Sequence, residues 1–188
     1  MSVHPTDRGE LIEVVPLARA QMEQRRANSD HGSIYALLDG VCDPELPILS
    51  IWDLGILQDV RVHREDAWTV QDDAQVSLEV VTVTITPTYS GCPAVEHIAR
   101  EIKATLESAG VGQVVVETRL DPAWTTDWLS GAAQQKLRAY GVAPPEERAC
   151  PICGSLRVSL ISEFAATACK SLLRCDDCLE PFEQFKAL

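Results

Sequence analysis

The chain has 188 residues and a formal charge of −12, from 28 acidic and 16 basic side chains. No long basic run is present, which excludes the electrostatic footprint of a nucleic-acid binder. The longest apolar runs fall well short of the roughly 18 residues that span a bilayer, and no basic stretch leads into an apolar one at the start, so neither a membrane partner nor a secretion signal is expected.

Residues 1–30 read as an N-terminal extension, with a helix over Glu10–Arg26 that Pro16 interrupts, either partly mobile or docked on a partner. Ser33 suits the N-cap of a short helix that turns Ile34, Leu37, Leu38 and Val41 to a core and stops at Asp43-Pro44. Asp43 and Glu45 lie in a segment that Pro44 and Pro47 hold extended. Two acids beside a proline commonly mark only a turn and a helix stop. After Gly55, the spacing of Ile56, Gln58, Val60 and Val62 predicts a strand, and the polar stretch Arg64–Asp73 a loop or an extended hairpin tip around Asp72-Asp73. From Gln75 to Thr86 the apolar set shifts from even positions (Val76, Leu78, Val80) to odd ones (Val81, Val83, Ile85), which predicts a bulge near Val80.

A strand period then gives way to a helical one across Thr86-Pro87-Thr88-Tyr89-Ser90-Gly91-Cys92-Pro93-Ala94. Val95, Ile98, Ala99, Ile102, Leu106 and Ala109 make the apolar face of a helix that Gly110 ends. Pro93 fits its first position, which puts Cys92 at or beside the N-cap. The helix dipole favours a thiolate there, so the Cys92 pKa is expected to fall, and Gly91 leaves room for another group to approach the backbone. The plainer alternative is a small buried hydrophobe, as most free cysteines are. His97, one turn inside the helix, is more readily a surface or packing residue than a base for Cys92.

Val114–Val116 predicts a third strand, crossed over to from the helix. Asp121-Pro122 turns the chain, and Thr125 suits the cap of a last helix, Thr126–Tyr140, which Gly131 weakens and Gly141 stops. The expected fold class is α+β: a small mixed three- to four-stranded sheet with helices packed on it over residues 31–143, a stiff linker over 144–149, and a zinc-ribbon-like β domain over 150–188.

In that tail Cys150-Pro151-Ile152-Cys153 and Cys175-Asp176-Asp177-Cys178 have the spacing of a tetrahedral thiolate site, with zinc the default metal. Seven cysteines in all, five of them from Cys150 onward, favour a reducing and hence cytoplasmic compartment over a disulfide framework. Strands are expected around Val158–Ile161, Leu172–Arg174 and Phe182–Phe185. A closed four-cysteine site has no open position, so the ribbon reads as a structural clip, usable also as a docking surface. The fifth cysteine, Cys169, could substitute for a knuckle ligand, sit buried or remain a free thiol. No dinucleotide fingerprint, phosphate loop or Glu-x-x-His pair occurs, which leaves nucleotide binding and a carboxylate di-iron site without support.

Three stretches together carry a family resemblance. Asp43-Pro44-Glu45 running into Asp53-Leu54-Gly55, with Thr86 to Ala94, resembles the SufT-type iron-sulfur assembly domain. Adding Trp124-Thr125-Thr126-Asp127-Trp128, Gly141-Val142-Ala143-Pro144-Pro145 and the cysteine tail, the whole from about Ser33 to Leu188 resembles the PaaD (PaaJ) family of small subunits of phenylacetyl-CoA epoxidase systems. Cys42 departs from the pattern, where a proline is more usual, and so does the polar insertion from Arg64 to Asp73. The resemblance implies a non-catalytic component of a monooxygenase acting in aerobic phenylacetate catabolism, with the other oxygenase and reductase subunits as partners, a homodimer being a further option. It implies that Cys92 is the functional cysteine and that Asp43, Glu45 and Thr86 match the other signature positions. Cys92 would then ligate a transient iron or iron-sulfur unit, with a carboxylate as second ligand or proton acceptor. One thiolate cannot hold a four-cysteine cluster, so a dimer, a partner or a small thiol would complete the shell. A structural adaptor joining oxygenase to reductase and a stand-alone cysteine enzyme are the alternatives.

Overall fold

A computed structural model describes residues 19–69 and 74–188, side chains between 66 and 77 excepted. The suggested tip at Asp72-Asp73 and the start of the N-terminal helix fall outside the described residues. What is described of the extension is α1 (Arg19–Ala27), which docks on the chain's own first domain. Its Met22 is buried. The Arg19 guanidinium lies 4.2 Å from the centroid of the Trp52 ring and donates to the carbonyls of Trp52 and Trp128. Helix α2 (Gly32–Leu38) follows and begins one residue before the expected cap, its N-cap position held by His31 without a side-chain bond.

Strands β1 (Leu57–Thr69) and β2 (Ala74–Ile85) form a long antiparallel hairpin, and β3 (Gln113–Thr118) joins parallel to β2, giving a three-stranded sheet in the order β1-β2-β3. Among the described residues the β1–β2 register shifts at Leu57/Asp59 and runs unbroken past Val80, so the bulge expected there is absent. The phase change has another cause. Leu78 is exposed, whereas every residue from Val80 to Ile85 is buried. β2 passes from a half-solvated ribbon into the centre of the sheet, where both faces are covered and alternation disappears.

Helix α3 (Ala94–Ser108) makes the crossover between β2 and β3. It buries Ala94, Ile98, Ile102 and Leu106 in one cluster with Val81, Val83, Ile85 and Val114, each large side chain contributing about 1.5–3 kcal/mol. Gly110, at φ 88°, follows its end.

The last helix divides in two. Thr125 caps a single 3-10 turn, Thr126–Trp128, then Leu129 is extended and Ser130 caps α4 (Gly131–Tyr140) by accepting from the Ala133 N–H. The division comes from a tertiary tie. The Ser130 N–H and hydroxyl both donate to Asp53, to its carbonyl and its Oδ1, and Asp53 also accepts from Lys136 at 2.5 Å and from the Ser50 N–H. Burial works against the charged carboxylate, but these donors outweigh it and hold the Asp53 pKa below the usual range. Beside it, Gly55 has φ +66°, and a Cβ there would stand 2.5 Å from both Cβ and the carbonyl oxygen of Trp128. The Asp53-Leu54-Gly55 signature therefore works as a structural latch, reinforced where the Trp124 indole donates to the Leu54 carbonyl at 2.9 Å.

The C-terminal sheet has the order β4-β7-β6-β5, built from β4 (Val142–Ala143), β5 (Val158–Ser162), β6 (Lys170–Cys175) and β7 (Pro181–Phe185). β5 to β7 lie where β-prone segments were expected. β4, which immediately follows α4 and its left-handed Gly141, pairs parallel to β7 and so belongs to the ribbon's sheet. Phe185 packs back against Trp124, centroids 5.9 Å apart, and joins the core of the first domain.

Candidate functional site

The four ribbon sulfurs, of Cys150, Cys153, Cys175 and Cys178, all lie within 4.8 Å of one another. Cys150 and Cys178 sulfurs are 3.7 Å apart, Cys153 and Cys175 sulfurs 3.5 Å apart. A tetrahedral ion with metal–sulfur bonds of about 2.3 Å needs sulfurs about 3.8 Å apart, so the donor set fits a divalent metal. Each knuckle ends on a left-handed residue, Gly154 (φ 74°) in the first and Leu179 (φ 64°) in the second. The Cys178 N–H points at the Cys175 sulfur and, ahead of opposing burial and with help from neighbouring sulfurs, draws its pKa down to about 7. At Cys178 the Glu180 N–H lowers the pKa, yet burial and the other three sulfurs push it up to about 12. Four thiolates this close need a cation between them. Cys169 is not in this group.

The second candidate site gathers around Cys92. Its acidic side comes from a loop closed by the bridge between Cys42 and Ser50, with the Asp43 N–H donating to the Leu49 carbonyl. The Asp43 carboxylate accepts from the N–H groups of Glu45 and Leu46 at 2.8 and 2.9 Å. Asp43 thus makes the turn that a proline-flanked acid suggests, and Leu46 and Leu49, both buried, pin it to the core. Asp43 and Glu45 are each half-buried.

Cys92 sits at the other side, half-buried, two residues before the first residue of α3, with Pro93 at the N-cap. Its thiol does not follow the expected fall in pKa. Burial pushes it up; the Ala94 N–H pulls it back, Asp43 raises it, the Tyr89 hydroxyl lowers it and Glu45 raises it again. The helix N-terminus is at work through that one N–H, but burial and two carboxylates overcome it. This electrostatic coupling is the sign that Asp43, Glu45 and Cys92 share one neighbourhood. Thr86 is buried at the root of the loop, its N–H bonded to the Ile56 carbonyl at 2.9 Å. No neighbour closes on Gly91, over which the space is open to 4 Å.

Tyr89 is the residue that sequence reasoning passed over. Its carbonyl accepts from the N–H groups of Gly91 and Cys92, and its hydroxyl hydrogen-bonds the Cys92 thiol. Burial first, then Cys92, Cys169 and Glu45, push the Tyr89 pKa up to about 12. The signal was available, since Tyr89 stands three residues before Cys92 in the motif. The place of Cys169 had no such signal: it lies against the core of the first domain, in the cluster that Tyr89 and Cys92 pack on.

Among the described residues no helix is long and apolar enough to cross a membrane. Residues 32–118 match the iron-sulfur cluster assembly protein family, and residues 137–186 match the PaaD zinc beta ribbon domain. A Fe-S protein maturation auxiliary factor of Porphyromonas gingivalis (strain ATCC BAA-308 / W83) is 31% identical over 105 residues, covering 55% of this chain and 87% of that protein. A solved domain of unknown function, DUF59, from Bacillus anthracis overlaps with a TM-score of 0.46 at 25% identity, covering 63% of this chain and 95% of the other. A relative from Escherichia coli (strain K12), named as a subunit of 1,2-phenylacetyl-CoA epoxidase, is 43% identical over 165 residues, 82% of this chain and 92% of that one. With that relative aligned across both the assembly domain and the cysteine ribbon, the chain belongs to the PaaD family.

Proposed function

We propose that this chain is a cytoplasmic accessory subunit of a phenylacetyl-CoA epoxidase system that helps assemble the iron or iron-sulfur cofactor of a partner subunit. Cys92 receives the cargo as a thiolate, Asp43 or Glu45 serves as an oxygen ligand or takes the thiol proton, and the ribbon cysteines hold a resident structural zinc. What supports this reading is that burial and the Asp43 and Glu45 charges, carried by a separate loop, all raise the pKa of a half-buried Cys92 thiol at the start of α3. Without a cation, burial and the two negative charges keep the sulfur protonated and weakly nucleophilic. An arriving cation offsets those charges and releases the proton, so the site is quiet when empty and becomes a ligand only when cargo is delivered. Thr86, buried beneath the loop, would support its shape.

In a strain lacking the subunit, Cys92→Ser should fail to restore phenylacetyl-CoA oxygenation, by about tenfold or more, while the purified variant keeps its ribbon metal and fold. Full restoration would remove the thiol from the mechanism.

A second reading, an adaptor between oxygenase and reductase, draws support from the ribbon surface, where Ile152, Leu156, Leu160, Ile161, Phe164 and Leu179 are all exposed. It expects stable copurification with the oxygenase whether or not residue 92 is a cysteine.

A further inference from the structure

Two edge strands of the molecule are built in opposite ways. β1, at one edge of the first sheet, carries Asp59, Arg61, His63, Arg64 and Glu65, the charged cover that keeps an exposed edge from pairing with another chain. β5 is an edge of the ribbon's sheet, and its five residues, Val158–Ser162, include no charge and no proline. Leu160 and Ile161 on it are 54% and 53% exposed, and Phe164 just beyond it is exposed as well.

The free part of this edge can be placed. Arg157 turns its carbonyl inward, where it accepts from the Asp176 N–H at 2.8 Å. Alternation along an antiparallel strand then turns the N–H and carbonyl groups of Val158 and Leu160 outward, away from β6. The bulge between Leu160 and Ser162 interrupts the ladder beyond that point, so the first half of β5 is the pairing edge. The side chains of the same residues help to line a groove of ≈ 670 Å³, whose wall also includes Ser171, Leu173, Glu163 and Lys186. Gln184 is on the groove face, so alternation puts Phe185, which packs on Trp124, on the opposite one. The first domain thus docks on the far face of the sheet and leaves the groove and the edge free.

Charge decides what fits there. Arg157 stands just before β5, its side chain 72% exposed although Asp177 binds it. Glu163 stands just after β5, with no ion pair among the described residues. The two ends of the edge therefore have opposite sign. A second β5 laid antiparallel brings each Arg157 beside the other copy's Glu163, whereas a parallel one brings like charges together. Identical strands related by a two-fold axis satisfy both ends at once. The net charge of −12 opposes association of two copies elsewhere, and this balanced, apolar edge is where they can meet.

We infer that the ribbon is a self-association surface: β5 of one copy pairs antiparallel with β5 of a second copy about a two-fold axis near Ser159 and Leu160, joining two ribbon sheets into one and closing each groove at its open end. This goes beyond the proposed cargo role of Cys92 and does not depend on it.

The test follows the mass of the zinc-loaded full chain under reducing conditions by sedimentation equilibrium, up to about 100 μM. The wild type should rise with concentration from 20.6 kDa toward twice that mass. Leu160→Lys sets two like charges close to the axis and should weaken association by about tenfold or more. Glu163→Arg and Arg157→Glu should each weaken it by about three- to tenfold when alone. Mixed in equal amounts, these two variants should dimerise as the wild type does, because a mixed pair regenerates an Arg-Glu contact at both ends. One zinc retained per chain certifies the ribbon fold of each variant. A wild type that stays at 20.6 kDa throughout overturns the inference. So does a dimer that the substitutions leave unchanged, or a mixture that associates no better than its components.

Discussion

In the ribbon, four sulfurs converge within 4.8 Å of one another on two turns of the same design, and among the described residues the core beside them is small: Ala143, Cys150, Leu173, Cys175 and Phe182. Around Cys92 the proportions are reversed: a large core, half-buried residues on separate loops, and carboxylates in place of neighbouring sulfurs. A metal on the four cysteines would hold the first arrangement in shape, whereas its protein core holds the second. A site that needs the ion to fold cannot release it cheaply, whereas a site already folded can load and unload. Under the proposed function, that contrast would give permanence to the ribbon and traffic to Cys92.

The largest expected effect attacks the ribbon side. Cys150→Ser should empty the cluster and unfold the ribbon, because structural zinc supplies on the order of 10 kcal/mol to units of this size. Metal analysis and hydrogen exchange over 150–188 would show it, while the three-stranded sheet stays protected. The matching attack on the other side goes through the latch. Gly55→Ala forces a Cβ against Trp128 at a left-handed φ and should cost about 3–4 kcal/mol in denaturant unfolding without touching the ribbon metal.

Next in size, Asp53→Asn should cost about 2–4 kcal/mol. Its pH dependence has a definite sign. The folded pKa lies below the unfolded value of about 3.9, so the contribution is complete above that value and is lost as pH falls through the folded pKa. The variant should flatten that part of the acid unfolding curve.

Smaller effects sharpen the electrostatic half of the comparison. Glu45→Gln removes a charge that raises the Cys92 pKa and should speed its alkylation at neutral pH by about two- to fivefold, whereas Tyr89→Phe removes a bond that lowers it and should slow the reaction by a similar factor. Smallest of all, Leu179→Gly relieves a left-handed side chain in the second knuckle and should stabilise the ribbon by about 0.5–1 kcal/mol.

The two regions were also unequally legible. Each knuckle of the ribbon cluster is local: two residues between cysteines and a turn after each fix its geometry, so spacing alone picked out the four cysteines that gather. The change of period at Cys92 located the β2–α3 junction for the same reason. What depended on tertiary surroundings was misread. A central strand covered on both faces imitated a bulge at Val80, and Ser130, tied to Asp53 from 77 residues away, divided a helix that its own sequence would continue. The helix-dipole argument for Cys92 counted the free N–H groups of the helix start and left out burial and the carboxylates, which no local pattern records. Cys169 is the extreme case, since only the packing of the ribbon on the first domain buries it in that domain's core and leaves it out of the ribbon cluster.

The most direct test of the cargo site is the alkylation rate of Cys92 in the zinc-loaded full chain, followed anaerobically against pH with and without iron(II). Iron should protect Cys92 from the reagent, with protons released on binding and protection lost as the pH is lowered. An unchanged rate at every pH, with iron present in excess, would contradict the account.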